Sequence, residues 1–141
     1  MVALKGDGLH PLSVQQSVDC ATNGNIGCSG GDTCKVLEWI LVGAEDELLA
    51  TLANHGPVAV AVNALNWQSY LGGVIQFHCD GNSNSLNHAV QIVGYDRTAP
   101  LPFYIVRNSW GTDFGDNGYL YIAIGQNICG LANEVSALDV L

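Results

Sequence analysis

His88-Ala89-Val90-Gln91-Ile92-Val93-Gly94-Tyr95 and Phe103-Tyr104-Ile105-Val106-Arg107-Asn108-Ser109-Trp110-Gly111, separated by Asp96-Arg97-Thr98-Ala99-Pro100-Leu101-Pro102, decide how this chain folds. The first run alternates and is rich in β-branched residues, so it reads as a strand. Phe103 to Arg107 reads as a second strand. The stretch between them has turn composition and two prolines that cannot donate to a ladder. With the turn centred near Thr98, His88 falls opposite Asn108. Directly opposed residues on antiparallel strands share a face, with Cβ atoms about 4.5–5.5 Å apart. A slip of one residue would send them to opposite faces. The spacing therefore permits an amide to fix the orientation and tautomer of an imidazole, with Trp110 close enough to screen the bond from water. Taken alone, a strand histidine is more often a surface or satisfied core residue, and Asn-Ser-Trp-Gly is only a turn.

Outward from this hairpin the chain predicts an α+β fold. A helix is expected over 45–54, ended by His55-Gly56-Pro57 because proline cannot continue it. Strands are expected near 58–63, 88–95, 103–108 and 118–124, with looser segments near 74–78 and 131–139. Asp32 or Thr33 is placed to cap a further helix running through Trp39. The 141 residues suit one domain, and 48% hydrophobic content permits a core. Four basic residues against thirteen acidic ones argue against nucleic acid or an anionic membrane as partner. Glu45-Asp46-Glu47 reads as an acidic first helical turn, favourable to the helix dipole. No apolar stretch reaches the roughly 18 residues that a membrane span needs. The N-terminus lacks a charged region followed by an apolar one, so no signal peptide is readable. No metal or cofactor site is expected.

Six motifs in order carry a family resemblance over nearly the whole chain. They are Leu12-Ser13-Val14-Gln15-Gln16-Ser17-Val18-Asp19-Cys20 with Gly27-Cys28-Ser29-Gly30-Gly31; Gly56-Pro57-Val58-Ala59-Val60-Ala61-Val62; Asn87-His88-Ala89-Val90; Asn108-Ser109-Trp110-Gly111; Gly115-Asp116-Asn117-Gly118-Tyr119; and Cys129-Gly130. In this combination the chain resembles the papain family of cysteine peptidases. The resemblance implies a papain-like fold. Residues 1–41 are then the remnant of the left-hand helical domain, and 42–141 the right-hand antiparallel β-barrel domain. It implies proteolysis by a thiolate, with His88 as general acid/base and Asn108 as its orienter.

The same resemblance exposes what the sequence lacks. The family's nucleophile and oxyanion glutamine lie in a "QxxCGSCW" segment that this chain does not contain; its first cysteine, Cys20, already belongs to the "DC" motif. Cys34, in the first turn of the expected helix, is the local candidate for a thiolate. The resemblance places it away from the histidine, as a structural cysteine. Ile40-Leu41 runs almost directly into Val42-Gly43-Ala44-Glu45, where the family has several dozen further residues. The chain thus reads as a papain-type enzyme with its start and a central block removed.

Further implications are residue by residue. Cys79 and Cys129 match one family disulfide. Cys20 and Cys28 lack their family partners, which leaves them and Cys34 with no assigned pairing among five cysteines. Gly30 and Gly31 match the backbone strip that pairs with substrate. Thr33, Ala61, Asn87, Ala89 and Glu134 fall around the pocket for the second residue before the scissile bond, where Glu134 would favour a basic side chain. Trp110 matches the tryptophan that shields the His–Asn pair. The implied partners are peptide or protein substrates and cystatin-like inhibitors, and the implied compartment is lysosomal or extracellular. The expectation is a peptidase by descent that is inactive alone. The alternatives are a non-catalytic module binding an inhibitor, propeptide or paralogue, and a non-functional splice or gene-model fragment.

Overall fold

The computed structural model describes residues 39–41 and 45–136. The readings made on Cys20, Cys28, Gly30, Gly31, Thr33 and Cys34 lie outside these residues, as do residues 1–38 of the proposed left-hand remnant. The elements are β1 (Trp39–Leu41), α1 (Glu45–His55), β2 (Val58–Val62), β3 (Val74–Ile75), β4 (His88–Asp96), β5 (Phe103–Arg107), β6 (Tyr119–Ala123) and β7 (Val135–Ser136). They form one helix and a seven-stranded sheet in the order β1-β7-β2-β4-β5-β6-β3. All pairings are antiparallel except β3 with β6.

The alternation read in the sequence is the reason for this sheet. Val58, Val60 and Val62 of β2 are buried while Ala59 and Ala61 are partly exposed. Opposite them lie Ile92, Val90 and His88. Tyr104 and Val106 of β5 and Leu120 and Ile122 of β6 continue the buried face, and Leu48 and Leu52 of α1 join the same core. α1 ends where the sequence predicts: Gly56 takes φ 89° and its N–H donates to the carbonyl of Leu52 at 3.2 Å.

Two expectations are corrected. The helix proposed to run through Trp39 does not reach that far, because Trp39–Leu41 is a strand paired with Val135 and Ser136. A short apolar run fits either element locally, and the exposed edge of β7 decides it. The β4–β5 register also differs. At the tip Asp96 faces Phe103, so β4 runs one residue further than expected and the connection, 97–102, is centred between Ala99 and Pro100 rather than near Thr98. The Asp96 carboxylate holds it open by accepting from the Thr98 N–H and hydroxyl, both at 2.7 Å, and from the Ala99 N–H at 3.1 Å. These bonds keep that carboxyl below its usual pKa.

A β-bulge then rescues the geometry. Pairing passes from Gly94 opposite Ile105 to Ile92 opposite Val106, which leaves Val93 as an extra residue on β4. Continued from the tip without the bulge, the ladder would set Gln91 opposite Asn108 and turn His88 to the other face. With it, Val90 comes opposite Asn108 and His88 lies one same-face step beyond. The two residues are diagonal rather than directly opposed, on one face, and within reach of each other's side chains.

Candidate active site

His88 opens β4. Its backbone is held by pairing with Val62 and by the bond from the Asn87 N–H to the Val62 carbonyl, 2.9 Å. Asn108 follows the last residue of β5, and its N–H donates to the carbonyl of Gly118 at 2.9 Å. Its side chain is buried. Asn108 Oδ1 lies 2.8 Å from His88 Nε2 and also accepts the Ser109 N–H at 2.8 Å. The second bond identifies the atom facing the ring as the amide oxygen, since a backbone N–H needs an acceptor. Nε2 must then carry the proton of the His–Asn bond. In the neutral ring Nδ1 keeps its lone pair, and no described residue hydrogen-bonds to it. The imidazole is thus set up to take and return a proton at Nδ1. Asn108 Nδ2 is buried with no hydrogen-bond partner among the described residues.

Two indoles bracket the ring. Trp67 is buried and meets His88 edge-on, with centroids 6.1 Å apart and an interplanar angle of 89°. Trp110 lies at 5.0 Å and 34°, and is 42% exposed. Phe114 supports Trp110 at 5.1 Å, and Tyr70 stacks on Phe114 at 5.8 Å. A wall of rings beside the His–Asn bond lowers the local dielectric and strengthens it. Trp67 is a residue that pattern reading missed: it sits in a short 3-10 turn, twenty-one residues before the histidine, and nothing in its local sequence points there.

The remaining residues named from sequence fall into two groups. Ala61 and Ala89 are register partners on the opposite side of the strands from His88, and the Ala61 N–H donates to the Glu134 carbonyl at 3.1 Å. Ala61, Ala89 and Glu134 are therefore neighbours, with Ala89 and the Glu134 side chain exposed. Asn87 differs. Its side chain is turned to the turn that follows β2: Oδ1 accepts the Ala64 N–H at 2.9 Å, and Nδ2 donates to Asn63 Oδ1 at 3.4 Å. Cys79 and Cys129 are joined in a disulfide. Cavities of about 520 Å³ and 320 Å³ lie beside that bridge, sharing Asn66, His78 and Cys79; Trp67 borders the smaller, and neither reaches His88 or Asn108.

The acidic turn of α1 also does more than complement a dipole. The Glu45 carboxylate accepts the N–H groups of Gly125 and Asn127, both at 2.6 Å. That pins the left-handed run Gly125-Gln126-Asn127 to the helix start. Nearby, burial and then the Glu45 charge push the Tyr104 phenol well above its usual pKa.

Comparison with known proteins follows this geometry. A family model described as papain family cysteine protease matches residues 42–138. Cathepsin O of Homo sapiens is 37% identical over 179 residues, covering 98% of this chain and 55% of the relative. Cathepsin O of Mus musculus is 38% identical, covering 98% and 56%. Those alignments are longer than the 141 residues of the chain, so several dozen positions of the relatives have no residue opposite them. The chain spans about half the length of these relatives. Among solved structures, digestive procathepsin L 3 of Tenebrio molitor superposes with a TM-score of 0.86 at 27% identity, over 99% of this chain and 59% of that one. Bromelain protease of Ananas comosus, in complex with the E64 inhibitor, superposes with a TM-score of 0.78 at 28% identity, over 93% and 80%. The chain belongs to the papain family of cysteine proteases.

Proposed function

We propose that this chain carries the acid–base half of a thiol peptidase site, and that the 141-residue chain by itself does not cleave peptides. The observation that carries the reading is the 2.8 Å contact between His88 Nε2 and Asn108 Oδ1, which leaves Nδ1 as the working nitrogen. In thiol acyl transfer a thiolate attacks the peptide carbonyl, and the imidazolium formed at Nδ1 then delivers its proton to the leaving amine. Asn108 holds the ring and its tautomer through that exchange, and Trp110 keeps water from their bond. Both cysteines among the described residues are tied to each other, so neither supplies the thiolate. The "QxxCGSCW" run that would bring a nucleophile and an oxyanion glutamine is not in the sequence.

The substrates are peptides or proteins. Gly30 and Gly31 would pair with the substrate backbone. Thr33, Ala61, Asn87 and Ala89 would surround the second side chain before the scissile bond, with Glu134 favouring a basic one. The small Ala61–Ala89 pair beside an exposed Glu134 supports that reading, although the Asn87 amide is already engaged and would contribute main chain. Cystatin-like inhibitors are the expected protein partners. A lysosomal or extracellular site accords with the cathepsin relatives and with a disulfide. The second reading, a non-catalytic module that binds an inhibitor, a propeptide or a paralogue, is favoured by the exposure of Leu71, Phe77 and Trp110.

The test is direct. The pure chain is incubated with an unspecific dipeptidyl fluorogenic substrate and with an E-64-type probe, and its intact mass is read. No turnover and no added mass are expected. Turnover accompanied by probe attached to any cysteine would refute the inactivity. Competition for a cystatin-like inhibitor without turnover would favour the binding module.

A further inference from the structure

We propose that Asn63 is a positioning residue for His88, fixing both the start of the histidine's strand and the indole beneath its ring. Asn63 is a polar side chain at 7% exposure, and a buried amide is costly unless its hydrogen-bonding groups are used. Three of them are used here. Oδ1 accepts the Leu65 N–H at 3.1 Å and faces Asn87 Nδ2 at 3.4 Å, and Nδ2 donates to the Asp80 carbonyl at 3.2 Å. The Asn63 N–H donates to the Cys129 carbonyl at 2.8 Å. The residue is therefore fastened on one side to both segments that the Cys79–Cys129 bridge joins.

On the other side it reaches the imidazole by two routes. The bond to Leu65 shapes the turn 63–65. From that turn the Ala64 N–H donates to Asn87 Oδ1 at 2.9 Å, next in sequence to His88. From the same turn the Ala64 carbonyl accepts the Trp67 N–H at 3.0 Å, and Trp67 meets His88 edge-on. The 2.8 Å bond to Asn108 needs the ring held in both place and tilt. Asn108 holds the ring tip, whereas Asn63 holds the main chain it grows from and the wall it leans on. Oδ1 is the group that serves the site. Nδ2 and the N–H serve the anchor.

This inference rests on reading His88 as the working imidazole, and the experiment reads the geometry of that ring rather than turnover, so the two can fail separately. In the full ¹⁵N-labelled chain, solvent exchange of the His88 Nε2–H is measured. Asn63→Ala is expected to speed that exchange at least tenfold. Asn63→Asp, which keeps the Oδ1 acceptor but loses the Nδ2 donor to the Asp80 carbonyl, is expected to restore it in part, to an exchange clearly slower than in Asn63→Ala. Asn87→Ala is expected to give part of the effect, and the Asn63→Ala/Asn87→Ala pair to show no more than Asn63→Ala alone. Ile122→Val, a core substitution far along the sheet, is the control for lost stability and should leave the exchange unchanged. If Asn63→Ala does not fold, the Asn63→Asp and Asn87→Ala arms still decide. The proposal is overturned if Asn63→Ala leaves the His88 signal as in wild type, if Ile122→Val moves it as much, or if Asn63→Asp and Asn87→Ala respectively fail to restore and fail to disturb it.

Discussion

Removing the Cys79–Cys129 bridge as a Cys79→Ala/Cys129→Ala pair should cost the chain about 4 kcal/mol. The two residues are separated by 50 in sequence. Closing a loop of that length removes denatured-state entropy equivalent to about 4 kcal/mol at 25 °C. The native state adds to the loss, because Cys129 is fully buried within the core cluster. Total stabilities of single domains run at about 5–15 kcal/mol, so this one link is a large share. The assay is urea unfolding followed by fluorescence, where the three tryptophans report. With a slope of about 1–3 kcal/mol/M, the midpoint should fall by roughly 2 M. Reductant should leave the variant's midpoint unchanged and bring the wild type down to it. A midpoint shift under roughly 0.5 M at an unchanged slope would refute the reasoning, since it would mean that the segments around Asn63 and Asp80 are held without the bridge.

Two further perturbations probe the scaffold. Tyr104 is buried, its phenol pKa is raised by that burial and by Glu45, and its hydroxyl has no hydrogen-bond partner among the described residues. The unfolded phenol ionises near pH 10 while the folded one stays neutral, so this group's contribution is full below that pH and falls by about 1.4 kcal/mol per unit above it. Tyr104→Phe should flatten the alkaline limb of a stability–pH profile at little cost near neutrality, and an unchanged limb would count against it. Gly115 has φ 53°, and a Cβ there would lie 2.3 Å from the Tyr119 carbonyl and 2.9 Å from the Tyr70 ring. Gly115→Ala should lose about 3 kcal/mol or more through the strained conformation and the backbone clash together; a thermal midpoint within a degree of wild type would contradict this.

How far the sequence carries can be argued from particular residues. The strands and α1 were legible because their apolar periods are local, and the terminator at His55-Gly56-Pro57 is a strong stop. The face shared by His88 and Asn108 was also legible, but the register was not. Val93 is one β-branched residue in a run of them, and nothing marks it as the bulged one. The Asp96 side chain moved the turn by bonds that no pattern displays. The β1 strand depended on an edge that β7 supplies from the other end of the chain. At the site, His88, Asn108 and Trp110 stand in short motifs, whereas Trp67, Asn63 and Glu45 act through contacts between segments far apart in sequence. Their residue types alone read as a core aromatic, a strand-end amide and a helix-start acid.

The central claim concerns which nitrogen of His88 is free. Long-range ¹H–¹⁵N correlation of the imidazole at neutral pH reads the tautomer directly, and an Asn108→Ala sample assigns the bond. The account predicts a protonated Nε2, an unprotonated Nδ1, and a Nε2–H whose slow exchange disappears in Asn108→Ala. A ring protonated at Nδ1, or a Nε2–H indifferent to Asn108, would contradict it.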